Sequence, residues 1–194
     1  MTDADAPPGA SREPGARGEP GPSREPGAAG DVPTLRGDRV VLRPLTHDDA
    51  PALLAILAEP GVASWWRRAE WEQVTEEGAI VFVVTVEGET VGCIQFNEET
   101  DPDYRHAAID IFVADAWQDR GVGSDAMRAV IDYLTERRGH HRLTVDPAVA
   151  NERAIHVYER LGFRPVGIMR AYERTADDTW RDALLMELVV DRRS

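Results

Sequence analysis

The chain has 194 residues and carries 35 acidic against 22 basic side chains, which gives a formal net charge of -13. A chain this acidic repels phosphate backbones and anionic lipid headgroups, so neither nucleic acid nor a membrane surface is expected as its partner. The longest apolar run, residues 79–84, is too short for a transmembrane helix, the N-terminus lacks a signal-peptide core, and one cysteine, Cys93, can form no intramolecular disulfide, so a cytoplasmic location is predicted.

The first 33 residues differ in composition from the rest. They hold 7 of the 13 prolines and 6 of the 16 glycines, and they repeat the hexapeptide Ser-Arg-Glu-Pro-Gly-Ala at 11–16 and 23–28. Such a segment buries too little apolar surface to offset the entropy lost on ordering. We therefore predict a disordered, low-complexity tail over 1–33 and a single folded domain over 34–194, to which most of the negative charge belongs.

The first half of the domain is predicted to contain one helix between strands. Residues 39–45, Arg-Val-Val-Leu-Arg-Pro-Leu, are typical of a strand. Thr46 can cap a helix whose apolar residues recur at 3–4 spacing until Pro60-Gly61 ends it. Residues 80–86 and 90–96 flank the turn Glu87-Gly88-Glu89, which predicts a β-hairpin.

The second half begins with the unit that carries chemistry. A strand over 107–113 is followed by a glycine-containing loop, 118–123, and by a helix that ends near Gly139. The remaining predicted elements are a strand over 142–146, a helix over 151–161, and strands over 163–172 and 180–190.

The loop Gln118-x-x-Gly121-x-Gly123 leaves a strand and opens a helix. Unpaired backbone N–H groups and the positive end of the helix dipole converge there, as an anionic diphosphate requires. A plain glycine turn is the alternative interpretation of the loop alone. The Gly-Lys-Ser/Thr ending of a Walker loop is absent.

This loop, together with Asn151-x-x-Ala154, Tyr158 and Gly162-Phe163 in that order, resembles the GNAT superfamily of acetyl-CoA-dependent N-acetyltransferases. The resemblance implies a mixed α/β fold, with a mostly antiparallel central sheet flanked by helices, and acetyl-CoA as co-substrate without a metal. It places the coenzyme on two sets of residues, with Tyr158 at the sulfur. The pyrophosphate set is Gln118, Arg120, Gly121, Val122 and Gly123, and the pantetheine set is Ile111, Phe112, Val113, Asn151 and Ala154. Asp119 and Ser124 in the same loop are further candidates to bind the coenzyme.

Shorter stretches resemble the aminoglycoside 6'-N-acetyltransferases. They are Val62-Ala-Ser-Trp-Trp66, 98–102, 108–110 and 144–147. The resemblance implies acetylation of the 6'-amine of an aminoglycoside, which confers antibiotic resistance, in an enzyme that is a monomer or a homodimer. It places Asp110 beside the amine, and Asp146 and Trp66 at the amino sugar. A loop between Gln95 and Glu99 is shorter than in better-known members, and Glu98 and Glu99 are candidates to replace its acidic residue.

The residues themselves also allow structural explanations that involve no ligand. Asp110 interrupts an apolar strand, where a carboxylate is costly unless paired, either with backbone or arginine or with an amine ligand whose proton it accepts. Asp146 before Pro147 is equally consistent with a turn initiator, and Tyr158 with a core tyrosine. A backbone amide near Ile111 or Phe112 is the family's donor to the oxyanion.

Three further features have structural explanations. Residues 65–68, Trp-Trp-Arg-Arg, form either a packed cap or a lid over the acceptor. His140 and His141 are predicted to be surface residues, because adjacent strand residues point to opposite sides and no third metal ligand is in view. Cys93 is expected to be buried packing.

Two rival functions remain. The opening Leu42-Arg-Pro-Leu45-Thr-x-x-Asp49 is shared by protein N-terminal acetyltransferases of the ribosomal-protein type. A non-catalytic sensor that binds coenzyme A or a drug is the other.

Overall fold

The structure, a computed structural model, describes residues 32–66, 74 and 78–190. In this part of the chain one sheet of eight strands has the order β1-β2-β3-β4-β5-β6-β8-β7, and its pairings are antiparallel except between β5 and β6. The strands are β1 (Leu35–Arg36), β2 (Val41–Pro44), β3 (Ile80–Val86), β4 (Glu89–Glu99), β5 (His106–Val113), β6 (Arg142–Val145), β7 (Arg164–Arg174) and β8 (Trp180–Val189). The helices are α1 (Ala50–Leu57), α2 (Pro60–Ala63), α3 (Val122–Asp132, continued by a π-type turn at Tyr133–Arg137) and α4 (Glu152–Arg160).

The predicted mixed α/β class with a mostly antiparallel sheet is confirmed. The hairpin forms around Glu87 and Gly88, whose φ angles of 51° and 86° are those of the tight turn that matches strand twist. Pro60-Gly61 does more than end α1, because Pro60 begins the single-turn helix α2. Thr46 caps differently from the prediction, since its hydroxyl donates to Asp49 Oδ2 at 2.8 Å.

Apolar side chains pack on both faces of the sheet. One cluster fills the space between the sheet and α3 and α4, and its largest buried members include Phe82, Phe96 and Met127. The other lies under α1 and α2 and contains Cys93 and Phe112. Alternation along β5 therefore puts Ile109 and Phe112 on opposite faces, as the sequence pattern predicts.

The predicted tail over 1–33 lies almost wholly outside the described residues. Val32, the first of them, packs against the core. Within the described ranges, none of the helices combines the length and apolarity needed to cross a bilayer.

Strands β5 and β6 pair over a short stretch and then separate. Their parallel register joins Ala107 with Leu143 and Ala108 with Thr144. On the other edge of β5, the Ala114 N–H donates to the Val91 carbonyl at 2.8 Å, in register with the β4 ladder. Because backbone groups alternate between edges, those of Phe112 face β4 and those of Ile111 face the opening toward β6. The amide exposed at the split is therefore that of Ile111 and not that of Phe112.

A partly buried ion pair fixes the start of α1, and its removal should change stability. Arg43 donates to both carboxylate oxygens of Asp49 at 2.8 and 2.5 Å, and this pairing lowers the pKa of Asp49 from 3.8 to about 2. We expect Asp49→Asn to lower the free energy of unfolding by about 1–2 kcal/mol at neutral pH, after allowing for solvent screening.

Since the folded-state pKa is depressed, this contribution is present above about pH 4 and disappears as the pH falls to about 2. Chemical denaturation across that window checks it. The exposed neighbour Asp48 provides the control variant Asp48→Asn, which should be neutral. Parallel acid profiles for wild type and Asp49→Asn would contradict the prediction.

Candidate active site

A cleft of about 890 Å³ opens where β5 and β6 separate. Its walls are β5, the loop and first turn of α3, α4, and the aromatic segment after α2. Most of the residues predicted for a site line it. They are Trp66, Asp110, Ile111, Phe112, Val113, Gln118, Asp119, Gly121, Gly123, Ser124, Asp146, Asn151, Ala154 and Tyr158.

One end of the cleft is formed by the glycine loop. Gly121 precedes α3 with a φ of 81°, a left-handed conformation that L-residues with side chains rarely adopt. This turn aims the first N–H groups of an 11-residue helix at the cleft. A Cβ added at Gly123 would meet only Val113 Cγ2, at 3.7 Å, so the packing of the protein itself does not require glycine there.

Gln118 holds this loop to the end of β5. Its Nε2 donates to the Val113 carbonyl at 2.9 Å and to Asp115 Oδ1 at 3.2 Å, and its Oε1 accepts from Arg153. Two other loop residues lie outside the lining. Val122 is buried in the core, and the Arg120 guanidinium lies over the Trp117 ring at 5.6 Å.

Basic side chains also line the cleft, namely Arg128, Arg153 and Arg160. Arg153 lies beside the glycine loop, because it donates to Gln118 and approaches Asp119 Oδ2 at 3.8 Å. The three arginines come from α3 and α4, whose N-terminal ends both face the opening. Cations beside unpaired helix N–H groups make this end suited to an anionic group such as a diphosphate.

Helix α4 places Asn151 and Tyr158 along one wall. The Asn151 side chain caps the helix by accepting from the Ala154 N–H at 3.1 Å, which fixes its carboxamide at the cleft. Tyr158 packs in the core against Phe163 and is 8% exposed, yet it also lines the cleft. Burial, then the charges of Asp110 and Asp146, raise the pKa of the Tyr158 phenol, which therefore stays protonated.

The opposite end of the cleft is acidic. Asp110, Asp146 and Glu173 line it, and Tyr172 hydrogen bonds with the Asp146 carboxylate. Burial raises the pKa of Asp146, the Tyr172 hydrogen bond partly offsets this, and the Glu173 charge adds to it. Burial together with Asp146 raises the pKa of Tyr172 to about 12. A cationic ligand would offset the repulsion between Asp146 and Glu173, because a nearby positive charge stabilises the ionised form of each carboxylate.

An aromatic wall closes the acidic end. Trp66 packs edge-on against Phe112 with ring centroids 5.0 Å apart. Arg181 from β8 lies over the Trp65 ring at 5.7 Å, donates to the Ser64 carbonyl at 3.0 Å, and pairs with Glu173 at 2.6 Å. The segment is thus a packed wall of the cleft as far as Trp66. Arg67 and Arg68 of the predicted cap or lid lie outside the described residues.

The structure contradicts the prediction for Glu98 and Glu99. Glu98 lies on the face of β4 opposite to Asp110 and binds Arg138 and His140, each at 2.5 Å, and although burial alone would raise its pKa, these partners lower it. Glu99 is exposed and accepts from the Asp101 N–H at 2.9 Å. Neither lines the cleft.

The prediction that His140 is a surface residue is also wrong. It is fully buried, and its ring nitrogen Nε2 meets Glu98. The buried Cys93 is confirmed as packing, and burial raises its pKa, so its thiol is not activated. Over the described ranges, no three His, Cys, Asp or Glu side chains are grouped as a metal site would require.

Several residues of the cleft were not predicted from the sequence: Gln95, Tyr172, Glu173, Arg181 and the arginines of α3 and α4. Gln95 was open to prediction, because a polar residue in the run Val91–Phe96 interrupts an apolar strand as Asp110 does. The others carry no local signal. They reach the cleft only through the pairing of β7 with β8 and the packing of α3 and α4.

A family model described as Acetyltransferase (GNAT) family matches residues 47–163. Three curated proteins are similar along the chain. Aminoglycoside N(6')-acetyltransferase type 1 of Klebsiella pneumoniae is 29% identical over 161 residues, with 70% of this chain and 79% of that protein covered. Spermidine N(1)-acetyltransferase of Escherichia coli is 25% identical over 158 residues, covering 76% and 84%. The [Ribosomal protein bS18]-alanine N-acetyltransferase of Escherichia coli is 30% identical over 118 residues, covering 61% and 70%.

Solved structures share the fold. Mycobacterium smegmatis RimJ in complex with CoA-disulfide superposes with a TM-score of 0.70 at 25% identity, covering 86% of this chain and 90% of that one.

Proposed function

Because the chain belongs to the GNAT family of acetyltransferases, we propose that it transfers the acetyl group of acetyl-CoA to a primary amine of a small polycation, the 6'-amine of an aminoglycoside. The observation that carries this proposal is the polarity of the cleft. Arginines and a helix N-terminus line one end, and three carboxylates line the other. An anionic donor and a cationic acceptor fit opposite ends of such a cleft.

The residues at the basic end fit coenzyme A. The N–H groups of Gly121, Gly123 and Ser124 would hold the pyrophosphate, with Arg128 and Arg153 beside it. The exposed edge of β5 and the Asn151 carboxamide would take the amide-bearing arm. Gln118 contributes by fixing the loop, because its side chain is bound to Val113 and Arg153. When bound, acetyl-CoA supplies an acetyl group activated as a thioester.

Where the two ends meet, side chains of the protein accept and donate the protons of the reaction. Asp110 orients the acceptor ammonium and accepts, directly or through water, the proton that must leave before the nitrogen attacks. The C–N bond then forms as the C–S bond breaks. The nitrogen passes its second proton to water, which replaces the proton that Tyr158 gives to the sulfur, and Asp110 releases the first proton to solvent. The Ile111 N–H is positioned at the split edge to stabilise charge on the carbonyl oxygen, and the Tyr158 phenol returns a proton to the sulfur.

The residues at the acidic end favour an aminoglycoside as the acceptor. Asp110 and Asp146 offer two carboxylates to separate amines of one molecule, and Trp66 offers an apolar face for a sugar ring. The aminoglycoside relative acts on such a molecule. In a bacterium, this acetylation would confer aminoglycoside resistance.

A thiol-release assay tests the proposal. Purified protein, acetyl-CoA and one acceptor are combined, and the acceptors are a kanamycin-type aminoglycoside, its 6'-hydroxyl analogue, spermidine and an N-terminal alanine peptide. We expect turnover with the aminoglycoside and none with the 6'-hydroxyl analogue. Added salt should raise the KM for the aminoglycoside more than the KM for acetyl-CoA, because screening weakens steering toward the acidic end.

The other outcomes separate the rivals. Turnover confined to the alanine peptide would assign the activity of the ribosomal-protein relative, and turnover confined to spermidine that of the spermidine relative. Binding of the aminoglycoside without turnover of any acceptor would make the protein a sensor.

The space at Gly123 gives a test of the coenzyme end. A methyl group there is tolerated by the protein but intrudes on the N–H groups that face the cleft. We expect Gly123→Ala to raise the KM for acetyl-CoA about tenfold, since a backbone site for phosphate depends on close approach. The Tm should be unchanged or slightly raised, because alanine favours a helix.

Steady-state kinetics with acetyl-CoA varied, together with thermal unfolding, measure both effects. Gly167→Ala is the matched control, because a Cβ there meets open space and the residue lies outside the cleft lining. An unaltered KM in Gly123→Ala would remove this loop from the coenzyme site.

A further inference from the structure

Gln95 lies in the cleft, and the mechanism above gives it no role. It stands on β4 directly opposite Asp110 on β5, in a register without irregularity. Opposite residues of an antiparallel pair project from the same face with Cβ atoms roughly 5 Å apart. Both side chains line the cleft, so the Gln95 carboxamide and the Asp110 carboxylate are neighbours in it.

The Gln95 carboxamide oxygen is buried without a donor. The residue is 4% exposed, and Oε1 accepts no hydrogen bond from any residue that the structure describes. A buried acceptor left in this condition destabilises a fold, and native proteins satisfy nearly all such groups. Apolar neighbours on β4, such as Cys93 and Ile94, show that this strand does not need a polar side chain for packing. An unsatisfied oxygen beside a carboxylate in a cleft indicates that a ligand supplies the donor.

We propose that Gln95 binds the amine that is acetylated: its Oε1 accepts one N–H while Asp110 accepts another. This inference rests on the proposed function and adds a preference for primary over secondary amines. A primary amine that has lost its proton carries two N–H bonds and one lone pair. Two fixed oxygens, one on each strand, hold both N–H bonds and so leave the lone pair one direction in which to point.

The arrangement makes the site selective for primary over secondary amines. An N-methylated amine offers one N–H, so Asp110 takes it and the Gln95 oxygen stays buried without a donor, next to a methyl group. A site built to satisfy a polar group discriminates strongly against an acceptor that cannot satisfy it.

The test compares kcat/KM for an aminoglycoside with a primary 6'-amine and for its 6'-N-methyl analogue. In Gln95→Met, which keeps the length of the side chain and removes its polar atoms, we expect the value for the primary amine to fall about tenfold and that for the analogue to change by less than about threefold. The primary-to-secondary ratio therefore falls. The Tm should stay the same or rise, because an unsatisfied oxygen has been removed.

Two further variants serve as controls. Gln95→Glu keeps an acceptor oxygen and should keep the ratio, whereas Asn97→Leu removes a carboxamide from the same strand outside the cleft lining and should not alter it. A purely structural role predicts that both rates and the Tm fall together in Gln95→Met, and this outcome overturns the inference.

The proposed function and this inference fail in different ways. An unchanged ratio in Gln95→Met, in an enzyme that acetylates the aminoglycoside, overturns the inference alone. If wild type acetylates spermidine or the peptide instead, the proposed acceptor is wrong, and the same ratio measured with that amine and its N-methyl form decides the role of Gln95. Failure of wild type to acetylate any amine of the panel overturns both.

Discussion

Replacing Asp110 by asparagine is expected to lower kcat/KM for the aminoglycoside by about 10³-fold and to leave the KM for acetyl-CoA nearly unchanged. Asparagine has almost the same size but cannot take a proton from an ammonium group. It also removes the charge that orients this group. Asp110 lies on the face of β5 that lines the cleft, beside Tyr158, whose phenol senses its charge. The loss should therefore be confined to the acceptor side of the reaction.

The matched control is Asp132→Asn, which makes the same charge change on the exposed face of α3. If acidity of the whole domain were sufficient to recruit a polycation, both variants would lose activity to a similar small extent. Initial rates with each substrate varied in turn, and thermal unfolding of both variants, separate these cases. Undiminished acetylation by Asp110→Asn would refute the proposed chemistry.

The elements that the sequence predicted correctly are those with a strong local signal. The β3–β4 hairpin is specified by two alternating strands and by the turn at Glu87-Gly88, which lie side by side in the chain. Helix α3 is specified by its apolar stripe. Strand β1 has two residues, too few to show alternation, and α2 is one turn long. Such short elements depend on partners elsewhere in the chain, Leu42 and Val41 for β1.

The same distinction applies to the site. Gly121, Asp110, Asp146 and Tyr158 were predicted to lie together, and all line one cleft, because each belongs to an element whose place in the sheet follows from the fold. Glu98 was misplaced for the opposite reason. Its partner His140 is 42 residues away, and local sequence does not show that a histidine after α3 is buried against β4.

The contacts that form the acidic end of the cleft could not be predicted from local sequence either. Arg181 donates to carbonyls 116 and 117 residues earlier in the chain, so it joins the β7–β8 hairpin to the aromatic segment after α2. It also pairs with Glu173 on the neighbouring strand. This pairing balances the charge of that carboxylate within the β7–β8 hairpin. Under the proposed function, Asp110 and Asp146 are the carboxylates of this end that would meet the cationic acceptor.

Tyr158 links the two ends of the cleft. It comes from α4, whose cap Asn151 lies at the end proposed for the coenzyme. Burial, and then the charges of Asp110 and Asp146 at the end proposed for the acceptor, raise its pKa. The ordinary pKa of a tyrosine is 10.0, and both burial and nearby carboxylates hold the phenol in its neutral form above that value. Tyr158 can therefore donate a proton at any pH at which the enzyme is assayed, and it cannot serve as the base.

Tyr158→Phe is accordingly expected to lower kcat by about 10²-fold while changing both KM values little, since the phenol acts when sulfur leaves and not when substrates bind. The effect should be smaller than that of Asp110→Asn, because a thiolate is a good leaving group even without a proton.

In wild type, kcat should not fall between about pH 8 and pH 10 through ionisation of Tyr158, since its raised pKa lies beyond this range. Tyr133→Phe removes another buried hydroxyl, from a ring packed against Phe82 and Phe96 outside the cleft, and should affect the Tm but not kcat. Rates at saturating substrates across this pH range measure the effect, and a kcat within twofold of wild type in Tyr158→Phe would show that sulfur leaves unassisted by this residue.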